Sequence, residues 1–248
     1  MTLATLQQMK RDGRKIVAVV VYDYQMAQIV DRAGVDLVSV GDSVGMQMWG
    51  QESETDVTLD QMLLACKAVR RGVTQALVSC DVPSSATKDG ADAAVRAARR
   101  LADEGGADMV KLEADADVVR AVVRAGVAVW AQLGVVRLKP DTTYGSDHWA
   151  AHARELEASG AAMLDFRHSG PEAGPAVVSA VSIPVLGGLG GGPWLDGRVR
   201  AIGNAIGNIA SALEDNVDRY ANVARITLEA IETYASDVRG ARQIKGGL

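Results

Sequence analysis

"KIVAVVVYDYQMAQIVDRAGVDLVSVGDSVG", residues 15–45, sets the pattern for the whole chain. From Ile16 to Val21 the run is apolar and largely β-branched, as in a strand buried on both faces. "DYQMAQIVDRAG" then spaces its apolar residues as a helix does and stops at Gly34. "VDLVSVGD" returns to strand. The alternation continues. "VTLDQMLLACKAVRRG" predicts a helix with Thr58 or Asp60 near its start and Gly72 after its end. "QALVSCD", "ADMVKLEA", "VAVWAQLG", "AAMLDFR" and "IPVLGG" predict strands, separated by the helices of "KDGADAAVRAARRLADEGG", "DADVVRAVVRAG", "HWAAHARELEASG" and "AGPAVVSAVS". "RVRAI" is a weaker eighth strand, and the tail from Asn216 predicts one long helix.

This pattern in 248 residues predicts an α/β fold, a (β/α)8 TIM barrel with a C-terminal helical extension. A doubly wound sheet would carry a glycine-rich phosphate turn after its first strand, whereas here that strand ends "VYDYQ" without a glycine. No low-complexity linker divides residues 1–248, which therefore read as a single barrel domain.

Hydrophobic residues make up 48% of the chain and charged ones 23%, enough for a full core and unlike a disordered protein. Aromatics are only 4%, so aliphatic side chains must fill that core. A formal net charge of -5 with no basic block argues against nucleic acid as a partner. The N-terminus lacks the order of a signal peptide and no apolar run spans a bilayer, so the expectation is a cytoplasmic protein with no membrane partner. Cys66 and Cys80 have neither metal nor redox spacing and read as reduced core residues.

Barrel chemistry sits at the C-terminal ends of strands. Those ends are Tyr22-Asp23, Asp42-Ser43, Cys80-Asp81, Lys111-Leu112-Glu113, Gln132 and Asp165-Phe166-Arg167-His168. Strands 2 to 4 thus bring Asp42, Asp81 and Glu113 to one rim. Taken singly, each acid is equally well explained as the cap of the helix after its strand. Three together repel one another unless a cation lies among them, and oxygen ligands without His or Cys suit Mg²⁺. Lys111 shares a strand face with Glu113 and is placed to neutralise an anionic substrate or to form a rim ion pair.

The segments "VYDYQMAQIVDRAGVDLVSVGDSVGM", "ALVSCDVP", "ADMVKLE", "SIPVLGGLGGGPWLDG" and "DRYANVARITLEAIETYASDV" fall in order along the chain. In them the sequence resembles the ketopantoate hydroxymethyltransferase family, within the phosphoenolpyruvate mutase and isocitrate lyase superfamily. The resemblance implies transfer of a one-carbon unit from 5,10-methylenetetrahydrofolate to the β-carbon of a 2-oxo acid through an enolate. It implies that Asp42 and Asp81 bind Mg²⁺ with Glu113 in support. Ser43 would hold the substrate carboxylate, Lys111 would face the developing enolate, and Tyr22 and Gln132 would line the substrate site. It also implies a role in pantothenate biosynthesis and, with the C-terminal helix, a homo-oligomer.

Two positions depart from the family pattern. Gln132 stands where the family has a His, and it cannot shuttle protons near neutral pH. Arg167 stands where the family has the Glu proposed to remove the β-proton, and a guanidinium is a poor base. Asp165, two residues earlier on the same face, is the substitute catalytic candidate. Arg167 itself fits either an ion pair with Asp165 or a grip on a second substrate anion. His148, His152 and His168 read as surface or loop residues. The departures leave two alternatives beside the transferase. One is a folate-independent lyase, aldolase or decarboxylase acting on a 2-oxo acid whose second anionic group Arg167 binds. The other is a non-catalytic paralogue.

Overall fold

The computed structural model describes residues 1–134, 144–167, 169–188 and 191–246. Helix α1 (Leu3–Arg11) precedes the first strand, followed by β1 (Ile16–Val20), α2 (Tyr24–Arg32) and β2 (Leu37–Val40). Next come α3 (Val44–Trp49), α4 (Leu59–Gly72), β3 (Leu77–Asp81), α5 (Ala91–Asp103), β4 (Met109–Leu112) and α6 (Ala116–Arg124). Then follow β5 (Val129–Gln132), α7 (Ser146–Ala158), β6 (Met163–Asp165), α8 (Ala173–Ala180), β7 (Val185–Gly187) and β8 (Gly197–Ala201). The chain ends with α9 (Ile202–Ile206) and α10 (Val223–Arg239). The eight strands close a parallel barrel in sequence order. The Ile16 N–H donates to Asp196 O at 2.9 Å, just ahead of β8. The chain forms two compact units, Met1–Arg200 and Ala201–Leu248.

The barrel interior grades from apolar to charged along its axis. Ile16, Leu37, Leu77, Met109, Trp130, Met163 and Leu186 form one cluster, and Leu6 and Met9 of α1 pack into it. Two residues further along β2 and β3, on the same face, stand Ser39 and Ser79, both buried. Beyond them Asp81, Lys111, Gln132 and Asp165 occupy the C-terminal rim. The strand register pairs Asp81 with Lys111 and Gln132 with Asp165. The apolar end is thus a packed core, and the polar end is free for chemistry.

The apolar end is tied by acids that precede even-numbered strands. Asp36, Asp108 and Asp196 accept the backbone N–H of Val17, Val78 and Val185 at 2.9, 2.8 and 2.9 Å. Each carboxylate serves an amide near the start of the preceding strand, which would otherwise be left unpaired. Asp31, at 3% exposure, accepts the N–H of Thr74, Gln75 and Ala76 and the Thr74 hydroxyl, all at 2.8–3.0 Å, and so pins α2 to the turn before β3. Burial raises its pKa, but these four donors outweigh burial and hold it below the usual aspartate value.

Several local expectations change. Helix α1 was not anticipated, and its burial against the barrel end explains why it forms. The C-terminal helix starts at Val223 rather than Asn216, because Asn222 caps it by accepting the Arg225 N–H at 3.0 Å. Gly72 lies inside α4, and Thr58, not Asp60, is that helix's N-cap. Gly45 is a helical residue of α3. A Cβ there would lie 2.0 Å from Gln51 Oε1 and 2.5 Å from Val57 Cγ2, so packing against the following loop requires the glycine. Cys66 and Cys80 are buried free thiols, as expected. No helix among the described residues is long and apolar enough to cross a membrane.

Candidate active site

The C-terminal rim of the barrel opens into a cavity of about 530 Å³. Asp42, Asp81, Lys111, Glu113, Gln132 and Arg167 all line it. Six of the strand-end candidates therefore converge on one space. None of the three rim acids caps a helix. Asp23 and Asp115 do that work for α2 and α6, accepting from Met26 N–H and Val118 N–H. Ser43 occupies the N-cap position of α3 without a side-chain cap bond.

Asp42 follows Gly41, where an added Cβ would meet Ser43 Oγ at 2.9 Å and Val20 Cγ1 at 3.0 Å. The glycine lets the chain turn tightly and brings Asp42 towards Asp81. Burial first, then the negative charges of Asp81 and Glu54, push the Asp42 pKa up to about 7 against the opposing pull of Lys111 and Arg167. Asp81 is 8% exposed, and its Oδ1 is buried with no hydrogen-bond partner among the described residues. Two crowded carboxylates, one with an orphaned oxygen, form a donor set suited to a hard divalent cation. Among the described residues no three His, Cys, Asp or Glu side chains form a metal cage. Asp42 and Asp81 would thus supply two ligands and leave the rest to water and substrate oxygens, the usual manner of Mg²⁺. Glu113 lines the same cavity but is exposed.

Lys111, 8% exposed, is the centre of the charge network. Its Nζ lies 3.0 Å from Asp165 Oδ2 and 3.8 Å from Asp81 Oδ2, and stands 5.3 Å from the centre of the Trp130 ring. Burial opposes the ammonium charge, but Asp165 and Asp81 more than compensate and raise its pKa. Arg167 Nε donates to the same Asp165 Oδ2 at 3.1 Å. Burial disfavours the guanidinium charge too, and Asp165 and Asp81 overcome it. Asp165 is fully buried and sits outside the cavity lining. Arg167 pairs with Asp165 and also lines the cavity.

Tyr22 and Ser43 also lie outside the cavity lining. Their hydroxyls pair at 2.9 Å. Burial, with Asp81, Glu54 and Asp42 nearby, pushes the Tyr22 pKa up to about 12 even though the Ser43 bond lowers it. Gln132 Nε2 donates to Gly134 O at 3.1 Å. His148 stacks on Tyr144 with ring centres 4.2 Å apart, outside the cavity lining, as is His152. His168 and the segment 135–143 lie outside the described residues.

The cavity has a wall that the strand-end rule missed. Glu54 and Thr55 come from the loop between α3 and α4, and Ser84, Thr87 and Lys88 from the loop after β3. A signal was present for the first loop. "SETD" reads as Ser53 followed three residues later by Asp56, a capping box around a short turn, and the structure forms it.

A family model of ketopantoate hydroxymethyltransferase matches residues 1–242. The 3-methyl-2-oxobutanoate hydroxymethyltransferase of Cyanothece sp. is 35% identical over 255 residues, covering 96% of each chain. The chain belongs to the ketopantoate hydroxymethyltransferase family. The enzyme of the same description from Salinibacter ruber is 36% identical over 254 residues, covering 96% of this chain and 94% of that one. That from Anaeromyxobacter dehalogenans is 37% identical over 255 residues, covering 96% and 83%. As a ketopantoate hydroxymethyltransferase family member, the chain is a transferase of an enzyme family tied to pantothenate biosynthesis.

Solved structures show how widely this fold is used. Phosphonopyruvate hydrolase, crystallised with oxalate and Mg²⁺, superposes with a TM-score of 0.65 at 14% identity, covering 98% of this chain and 89% of that one. 2,3-Dimethylmalate lyase, described as a PEP mutase/isocitrate lyase superfamily member, gives 0.63 at 17% identity, covering 100% and 90%. At these identities the likeness is one of fold.

Proposed function

We infer that the protein adds a one-carbon unit from 5,10-methylenetetrahydrofolate to the β-carbon of 3-methyl-2-oxobutanoate or a related 2-oxo acid. The observation that carries this reading is the convergence of Asp42, Asp81 and Lys111 on one cavity, with Asp81 Oδ1 unpartnered. Asp42 and Asp81 would hold Mg²⁺, which when bound supplies Lewis-acid polarisation of the keto group. Lys111 faces the cavity with its charge secured by Asp165 and stabilises the oxyanion as the enolate develops. Asp165 serves best as a positioning residue, because one of its oxygens already accepts from both Lys111 and Arg167. Gln132 has amide capacity left to orient the substrate. Glu113 supports the ion's water shell from the exposed side, and Tyr22 stiffens the Ser43 hydroxyl beside Asp42.

The test is direct. Purified protein with Mg²⁺, the 2-oxo acid and the folate donor should form a hydroxymethyl product that disappears with a chelator. A folate-dependent product that forms equally well in Asp81→Asn would sink the metal assignment.

A second reading rests on Arg167, whose guanidinium lines the cavity while only its Nε binds Asp165. It would grip a second anionic group on a 2-oxo acid, as a folate-independent lyase requires. Cleavage of such an acid without folate, lost in Arg167→Ala, would favour it. The homo-oligomer also stays a proposal. Its support is α10, none of whose residues is buried in the single chain.

A further inference from the structure

Enolate formation requires a base, and the residues expected to provide one do not. Arg167 holds its proton. Asp165 is fully excluded from solvent and lies outside the cavity lining, so although its Oδ1 is unpartnered, substrate does not reach it. Gln132 is not basic at neutral pH. Asp42 and Asp81 are taken by the cation in the proposed function, on which this inference rests. Among the described residues the carboxylates left in the cavity wall are Glu54 and Glu113.

Glu54 is presented by a built turn. Ser53 N–H donates to Asp56 Oδ2 at 3.1 Å, and Ser53 Oγ accepts the Thr55 N–H at 3.2 Å. The turn is anchored at its exit, where Val57 is fully buried and its carbonyl accepts the Ser85 hydroxyl at 2.9 Å from the loop after β3. Asp56 is spent on the cap, whereas Glu54 faces the cavity half-buried and forms no ion pair among the described residues. Glu54 lines the same cavity as Asp42, Asp81 and Lys111, where the 2-oxo acid would sit. Glu113 lines the cavity as an exposed side chain, without the anchored turn that presents Glu54.

We propose that Glu54 is the general base that removes the β-proton of the bound 2-oxo acid. A Glu54 carboxylate oxygen takes the proton as the C–H bond breaks. The electron pair becomes the C=C bond of the enolate, and the keto π pair moves onto oxygen, opposite Lys111. The proton returns to solvent after the new C–C bond has formed. The base function thus resides on the β2-side loop in this chain instead of at the end of β6.

The test follows exchange of the β-hydrogen of 3-methyl-2-oxobutanoate for deuterium by NMR, without folate, alongside calorimetric titration with Mg²⁺. Glu54→Gln should slow exchange about 10²-fold or more while Mg²⁺ affinity changes by less than about 3-fold, and Glu54→Asp should retain part of the rate. Glu52→Gln, exposed on the same loop and outside the cavity lining, should exchange within about 3-fold of wild type. Wild-type exchange in Glu54→Gln overturns the inference even if the full transferase reaction proceeds. Loss of Mg²⁺ affinity in parallel with exchange also overturns it, since Glu54 would then be a ligand. Exchange that depends on Glu54 without any folate-dependent product supports the base and removes the transferase reading. No exchange by the wild type with Mg²⁺ overturns both.

Discussion

Lys111 and Asp81 lie side by side on neighbouring strands, and each exists at the rim because the other charges do. Removing the cation strands Asp165, which is fully buried, beside a single guanidinium. Lys111→Met should therefore reduce turnover by at least about 10²-fold and lower stability by about 3 kcal/mol, read by chemical denaturation. A loss of turnover with unchanged stability would mean that Asp165 does not depend on Lys111. Asp31 makes a separate prediction at the apolar end. Its folded pKa lies below the ordinary aspartate value, so the stability it contributes is complete above about pH 4. That contribution fades as pH falls through the lower folded value. Asp31→Ala should cost about 2–3 kcal/mol at pH 7, and its deficit against wild type should shrink in acid. A deficit that stays constant down to acid pH would rule out the ionised carboxylate as its source. At this scale the sequence was informative wherever a residue's place followed from the end of a strand, as for Asp42, Asp81, Lys111 and Arg167. Glu54 and Lys88 escaped because loops carry them into the cavity, and no strand period reports where a loop folds back.

The elements were readable for a physical reason. Parallel strands buried on both faces must be continuously apolar, and the helices between them must show one apolar stripe. The misread boundaries lie where a local side chain overrides that pattern, as when Asn222 starts α10 by capping it. Helix α3 was hidden because only six residues separate Ser43 from Gly50, too few for a stripe. Closeness between β8 and β1 gives the element-scale prediction. A Cβ at Gly197 would meet the Ile16 carbonyl oxygen at 2.2 Å, and that atom is backbone. Gly197→Ala should destabilise the barrel by about 1–3 kcal/mol in thermal or urea unfolding, more than the same change at exposed Gly145, where an added Cβ meets nothing within 4 Å. An equal effect at both sites would mean that the barrel closes elsewhere.

At the scale of the molecule, the barrel separates stability from chemistry along one axis. Trp130, Leu6 and Met9 seal one end and the carboxylates and cations meet at the other. The C-terminal unit poses a different problem. Ile226, Ile231, Tyr234 and Val238 of α10 are all more than half exposed in the single chain. If these residues are covered by a second copy, sedimentation should give a mass above the 26.0 kDa of one chain, and Ile231→Glu with Tyr234→Glu should lower it. A monomeric wild type would leave α10 a solvent-facing helix. At the polar end of the barrel, a cation held by Asp42 and Asp81 would serve a 2-oxo acid and a one-carbon donor. The most direct measurement is an NMR assay of purified protein with Mg²⁺, 3-methyl-2-oxobutanoate and 5,10-methylenetetrahydrofolate. The wild type should give a hydroxymethyl product and Asp81→Asn none. Absence of product from a folded, Mg²⁺-binding wild type would contradict the proposed function.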